Sequence, residues 1–207
     1  MIVWSDMEKD AFAEFLNMGM GKAAASLSSM LGQEILLSVP EISFVSQDEL
    51  KRWYSDEIGE EIAGVQQAFK GKAAGNIALL FTKANSYELV RELMPGDIPL
   101  EDLPDIQKDA IAEIGNIVLN ACMAAIADSL HFEIPTELPR LVSDVSIDLN
   151  TGEAAPDDEI FSMLGQIKFD LKDRDIKGFV VLHMSTPSAL RMKQEIQHML
   201  SMYAAAE

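Results

Sequence analysis

An α+β fold is expected from the sequence: helix, three strands and helix, repeated about a pseudo-twofold axis. The strands should form a continuous antiparallel sheet of about six, three per half, with the two opening helices together on one face. Three observations carry this expectation. First, shifting Asp10–Pro40 by 99 residues onto Asp109–Pro139 gives identity at ten of 31 positions, Asp10/Asp109, Glu14/Glu113, Asn17/Asn116 and Pro40/Pro139 among them. Second, each half runs from a helical period into alternating segments and back to a helical one. Third, turn-forming residues separate the alternating segments, which implies hairpins and antiparallel pairing.

The elements follow in order. A helix is expected over Ser5–Leu31, with Ser5 or Asp6 as its cap, and another over Pro104–Leu130, where Pro104 and Asp105 suit a helix start. On a wheel begun at Asp10, residues Phe12, Phe15, Leu16, Gly19 and Ala23 fall between about 140° and 240°. Ile111, Ile114, Gly115, Val118 and Cys122 occupy the same arc in the second half, so both helices show a small apolar face to a sheet. Strands are expected over Glu34–Val45, Ala63–Lys70 and Gly75–Thr82, with counterparts over Glu133–Leu149, Ile160–Leu171 and Lys177–Ser185. Gly71-Lys72 and Lys172-Asp173-Arg174-Asp175 have the composition of hairpin turns. Closing helices follow over Ala84–Leu93 and from Pro187 to about Tyr203. Two acidic stretches, Ser46–Glu61 and Asn150–Glu159, read as exposed loops, Trp53 and Tyr54 marking a short helix in the first. Met94–Pro104, with three prolines and a glycine, divides the chain. The whole is read as one domain of two pseudo-repeats, 1–98 and 99–207.

Composition narrows the function. Sixteen Lys and Arg stand against 34 Asp and Glu, a net charge of −18. Such a chain repels phosphate backbones and anionic lipid, so neither nucleic acid nor a membrane is expected as partner. No uninterrupted apolar run reaches the ~18 residues of a membrane span. The first ten residues carry three acids and their apolar run stops at Trp4, unlike a signal peptide. The one cysteine, Cys122, has no internal disulfide partner and lies on the apolar arc, pointing to a reducing, cytoplasmic setting.

The chemistry-bearing pattern lies opposite the apolar arcs. Asp10, Glu14 and Asn17 follow i, i+4, i+7 spacing, within about 60° of one another on the wheel, and Asp109, Glu113 and Asn116 repeat the stripe. In each half a proline follows the asparagine after 22 intervening residues. A solvated helix face would account for one such stripe. One stripe with its proline arises by chance in roughly one chain in 700, and here it occurs twice. Shared ancestry of the halves would preserve even a structural stripe, but asparagine is a poor mid-helix residue whose retention needs a reason.

This Asp/Ser-x-x-x-Glu-x-x-Asn stripe, with proline after 22 residues, resembles the signature of the CheC–CheX–FliY phosphatases of bacterial chemotaxis. Ala110-Ile-Ala-Glu-Ile-Gly-Asn-Ile is similar to the family's helix, and Asp10-Ala-Phe-Ala-Glu-Phe-Leu-Asn-Met-Gly matches it with bulkier residues. The resemblance covers nearly the whole chain, and two complete motifs make it CheC-like. It implies hydrolysis of the aspartyl phosphate on a CheY-like response regulator, and for some members a CheD-like deamidase as partner. Under that resemblance Asn17 or Asn116 would position the attacking water, much as a glutamine does in GTPases. Glu14 or Glu113 would anchor the regulator's lysine through a charge-assisted hydrogen bond. Asp10 and Asp109 would support docking or the helix start, and Pro40 and Pro139 would shape the following strand. No cofactor or metal is expected on this chain, and Mg²⁺ is expected on the partner receiver domain. The rival reading is a non-catalytic module that only binds a phosphorylated receiver or a CheD-like partner.

Two departures from the family pattern favour the second motif. Leu16 stands where the family, and Gly115 here, has glycine, and Lys22 replaces a common asparagine. Other signals are weaker. Gly19-Met-Gly21-Lys-Ala-Ala24 mimics a dinucleotide loop without a preceding strand. His131, His183 and His198 lack metal-ligand spacing, Asp170, Asp173 and Asp175 lack the glycine and glutamate of a calcium loop, and no Gly-x-Ser-x-Gly occurs.

Overall fold

The computed structural model describes residues 2–58, 61–93, 103–143, 160–171 and 174–204. Helix α1 spans Asp6–Leu31, strand β1 Leu36–Val45, helix α2 Gln47–Trp53, β2 Ile62–Phe69, β3 Gly75–Thr82 and α3 Lys83–Leu93. The second half supplies α4 Leu103–Leu130, β4 Arg140–Ser143, β5 Ile160–Leu171, β6 Arg174–Ser185 and α5 Thr186–Ala204. Most of the dividing segment Met94–Pro104 (94–102), the end of the expected strand Glu133–Leu149 (144–149), the acidic stretch Asn150–Glu159 and two residues of the second hairpin turn, 172–173, lie outside the described residues.

Among the described residues the strands form one antiparallel six-stranded sheet in the order β1-β5-β6-β3-β2-β4. The α+β expectation and the count of strands hold. The hairpins β2–β3 and β5–β6 lie at the centre, joined by β3–β6 pairing from Gly75↔Met184 to Leu80↔Phe179. The outer strands are exchanged between halves: β1 pairs with β5, and β4 with β2. The fourth strand begins later than its sequence pattern. Ladder pairing begins only at Arg140, after an isolated bridge between Thr136 and Phe69. Pro135 and Pro139 each lack the N–H that a continuous ladder needs.

Ser5 caps α1 and forms a capping box with Glu8, whose carboxylate accepts from the Ser5 N–H at 2.7 Å. Helices α1 and α4 lie against each other on one face of the sheet, over a core that includes Phe12, Phe15, Leu16, Ile111, Ile114, Val65, Ile77, Leu79 and Val180. Their approach depends on small residues. A Cβ on Gly19 would sit 2.6 Å from the Cα of Cys122, and one on Gly115 would sit 2.6 Å from Val65 Cβ on β2. Gly19 therefore serves helix packing. Cys122 is wholly buried, and burial pushes its thiol up to about 12.

Within the acidic stretch Ser46–Glu61, expected as an exposed loop with a short helix marked by Trp53 and Tyr54, the helical part is longer than expected and partly buried. It forms α2, capped by Ser46, then a π-helical turn over Tyr54–Ile58. Leu50 is fully buried and Trp53 meets Phe179 edge-on at 4.8 Å, so this segment covers apolar side chains on the other face of the sheet. Among the described residues, α4 alone is long and apolar enough to cross a membrane by length and composition. The run-length reading of the sequence did not flag it, because charged residues near its start and scattered polar ones break up any apolar run. Its apolar side chains here serve the core shared with the sheet and α1.

His183 on β6 is fully buried, with Nδ1 2.9 Å from Ser162 Oγ on β5. Burial pulls its imidazole down from 6.5 to about 4. In the unfolded chain the ring takes up a proton through its ordinary value, so the folded state is favoured fully above about pH 7 and loses stability as pH falls toward 4. Between pH 7 and 5 this linkage should remove about 2 kcal/mol, measurable by urea unfolding. His183→Gln should flatten the dependence over that window. A wild-type stability unchanged between the two pH values would contradict the assignment.

Candidate functional site

The stripe residues stand on the outer surfaces of α1 and α4. Asp10, Glu14, Asp109 and Glu113 are all exposed, and Asn17 and Asn116 are half-buried. Among the described residues, none of the four acids is paired with a cation. Leu16, the bulky departure in the first motif, is 0% exposed and points into the core. It therefore leaves the outer face clear. Lys22 reaches across to Asp128 on α4 at 3.3 Å, an exposed pair of little energetic weight.

The two asparagines are used differently. Asn17 grips the backbone of Val39 with both ends of its amide: Oδ1 accepts from the Val39 N–H at 2.8 Å, and Nδ2 donates to the Val39 carbonyl at 3.1 Å. The reason lies in β1. Pairing with β5 passes from Ser38↔Lys168 to Glu41↔Gln166, so Val39 and Pro40 together oppose Ile167 in a bulge. A bulged residue loses its ladder partners, and a primary amide supplies one acceptor and one donor in their place. The separation of asparagine and proline is thus, in the first half, the spacing of a clasp on the residue before the proline. Asn17 was expected to offer its amide to water; here both ends are engaged by the protein.

The second half has the same extra residue, between Thr136↔Phe69 and Arg140↔Gln66, but no such clasp. Leu138, the counterpart of Val39, is 86% exposed. Asn116 Oδ1 instead accepts from Asn120 Nδ2 at 2.7 Å, and among the described residues Asn116 Nδ2 makes no hydrogen bond. Asn120 Oδ1 accepts from Gln67 Nε2 at 2.9 Å, and the same Nε2 donates to the Glu137 carbonyl at 2.8 Å. Gln67 and Asn120 carry no motif. Their signal in the sequence is indirect: Asn120 lies one turn beyond Asn116, and Gln67 is a polar residue at a core-facing position of β2, only 2% exposed. Among the described residues no group of three or more His, Cys, Asp or Glu side chains could hold a metal ion.

Fold and stripe together define a duplicated α+β module with an exposed glutamate and a half-buried asparagine on the motif helix of each half. Comparison with known proteins agrees with that class. The model of the CheC-like family matches residues 7–44. The flagellar motor switch phosphatase FliY of Bacillus subtilis (strain 168) is 25% identical over 171 residues, 81% of this chain and 43% of FliY. The CheY-P phosphatase CheC of the same organism is 25% identical over 145 residues, 69% of this chain and 67% of CheC. The chain therefore spans less than half the length of that FliY. The crystal structure of Thermotoga maritima FliY superposes with a TM-score of 0.72 at 22% identity, covering 96% of this chain and all of that one, which shows the fold. These findings support the CheC/CheX/FliY family for this chain.

Proposed function

We propose that this chain hydrolyses the aspartyl phosphate of a CheY-like receiver domain, with Glu113 and Asn116 as its working pair. The observation that carries the reading is the outer face of α4, where an exposed, unpaired carboxylate stands one turn before an amide whose Nδ2 is free among the described residues. Likeness to FliY, a flagellar motor switch phosphatase, and CheC, a CheY-P phosphatase, favours the same reaction. On the receiver, a lysine and Mg²⁺ already neutralise the phosphoryl oxygens, so the missing element is a water held in line with phosphorus. Glu113 would hold the receiver's lysine, and Asn116 would hold the water. The water oxygen forms the new bond to phosphorus while the bond to the aspartyl oxygen breaks. That electron pair leaves with the carboxylate, and the water protons pass to phosphate and solvent. Asp109 stands one turn earlier as a docking group. The chain brings no metal to this reaction and would act in the cytoplasm, where such receivers are phosphorylated. A CheD-like deamidase as second partner rests on the family resemblance alone.

The first half favours a second role. With Asn17 engaged by Val39, Asp10 and Glu14 remain as an acidic docking surface without a free amide, so this half would bind a receiver without turning it over. The test is the decay of a phosphorylated receiver with Mg²⁺ present, with and without catalytic amounts of this protein. Faster decay supports the phosphatase. Unchanged decay, or decay slowed only at stoichiometric protein, supports the binding module instead.

A further inference from the structure

The polarity of the Asn116 amide is set from the sheet. A carbonyl can only accept, so the Glu137 carbonyl fixes the Gln67 atom facing it as Nε2. That nitrogen also faces Asn120, which must therefore present Oδ1, leaving Asn120 Nδ2 to face Asn116. Asn116 in turn must present Oδ1 inward, which turns its Nδ2 away from the relay. The arrangement leaves Gln67 Oε1 buried without a partner among the described residues, a penalty that the two acceptors on Nε2 offset. The first half has no such relay. The aligned counterpart of Asn120 is Gly21, and Asn17 holds the bulge directly.

We propose that Gln67 and Asn120 are positioning residues that hold Asn116 with Nδ2 outward, so that the amide acts on the attacking water as a donor. An N–H directed at one lone pair of the water leaves the other lone pair for phosphorus and both protons free for acceptors on the receiver. This deepens the proposed reaction and rests on it, but the orientation of the amide is measurable without activity.

Asn120→Asp removes the donor to Asn116 Oδ1 and substitutes an acceptor that draws Asn116 Nδ2 inward. Turnover of phosphorylated receiver should fall roughly tenfold or more with KM within about twofold, because docking is untouched while the water is misplaced. Asn120→Ala, which only frees the amide, should lose less. If Asn120 acts through Asn116, the Asn120→Asp effect should vanish in the Asn116→Ala background, whereas a general loss of structure would persist there. Turnover within about twofold of wild type, or full additivity in the double variant, overturns the proposal. The side-chain amide protons of the wild-type protein provide the second readout, by NMR. Asn120 is exposed and Asn116 half-buried, so burial alone would protect Asn116; an Asn120 NH₂ that exchanges more slowly than Asn116 NH₂ is therefore the expected mark of the hydrogen bond, with Gln67→Ala speeding the former. The reverse order overturns the proposal even if wild type proves inactive. That inactivity would itself count only against the reaction.

Discussion

Asn116→Ala is expected to lower receiver dephosphorylation by roughly 10²–10³-fold, with helicity unchanged. The size follows from removing one preorganised group at a reacting centre, about 2.7–4 kcal/mol of transition-state stabilisation. The fold should tolerate the change, because the amide faces outward from α4 and alanine is the better helix former. Asn17→Ala should behave in the opposite sense. It removes both hydrogen bonds that satisfy the bulged backbone of Val39, so it should destabilise the protein by about 1–3 kcal/mol while leaving turnover per folded molecule within about threefold of wild type. Urea unfolding and receiver dephosphorylation on the same preparations separate the two effects. Full activity in Asn116→Ala would remove this residue from the chemistry. An Asn17→Ala protein as stable as wild type but inactive would move the chemistry to the first half.

Lys193→Met should give the largest loss of stability. Lys193 Nζ on α5 lies 2.9 and 2.8 Å from the two carboxylate oxygens of Glu8 and 2.7 Å from the Val3 carbonyl. Gln197 Nε2 donates to Glu8 at 2.6 Å, and Lys193 also stands 5.7 Å from the centre of the Trp4 ring. Burial alone would push the Glu8 carboxyl up. Hydrogen bonds from Lys193, the Ser5 N–H and Gln197, with the lysine charge, outweigh it and hold the carboxyl below its ordinary range. Removing the lysine leaves a carboxylate that is only 5% exposed without its counter-charge, though still accepting from the Ser5 N–H and Gln197, and breaking such a pair typically costs about 3–5 kcal/mol. For a chain of this length that corresponds to a fall in Tm of about 6–20 °C. Adding Glu8→Gln should recover a substantial part, since it discharges the stranded group. A Tm within 2 °C of wild type for Lys193→Met would show that the pair holds nothing.

Much of the fold is legible in the sequence because its signals are local and periodic. The apolar arc containing Phe12, Phe15 and Leu16 could face only a core, and the alternation in Gly75–Thr82 and Ile160–Leu171 could be only strand. The exposed stripe was legible for the same reason: spacing of three and four fixes a helix face whatever surrounds it. The limits are equally physical. Ser46–Glu61 reads as loop because its net acidity hides single anchors such as Leu50 and Trp53, which matter only once the far face of the sheet exists to receive them. Lys193 and Glu8 are 185 residues apart, and no local pattern joins them.

The sequence by itself determined most of the helices and strands, the duplication, and which residues of α1 and α4 face outward, since each follows from periodicity, turn chemistry or direct self-comparison; the start of β4 and the helical segment after Ser46 did not. Only the tertiary structure decided that β1 and β4 change places between the halves, and that two identical asparagines differ in use. Each outer strand carries its own bulge beside the motif helix of its own half. One bulge presents Val39 to Asn17 directly, and the other is reached from Asn116 only through Gln67 and Asn120. Hydrogen bonds between groups distant in the chain depend on where the backbone carries them, and spacing along the sequence does not hold that information.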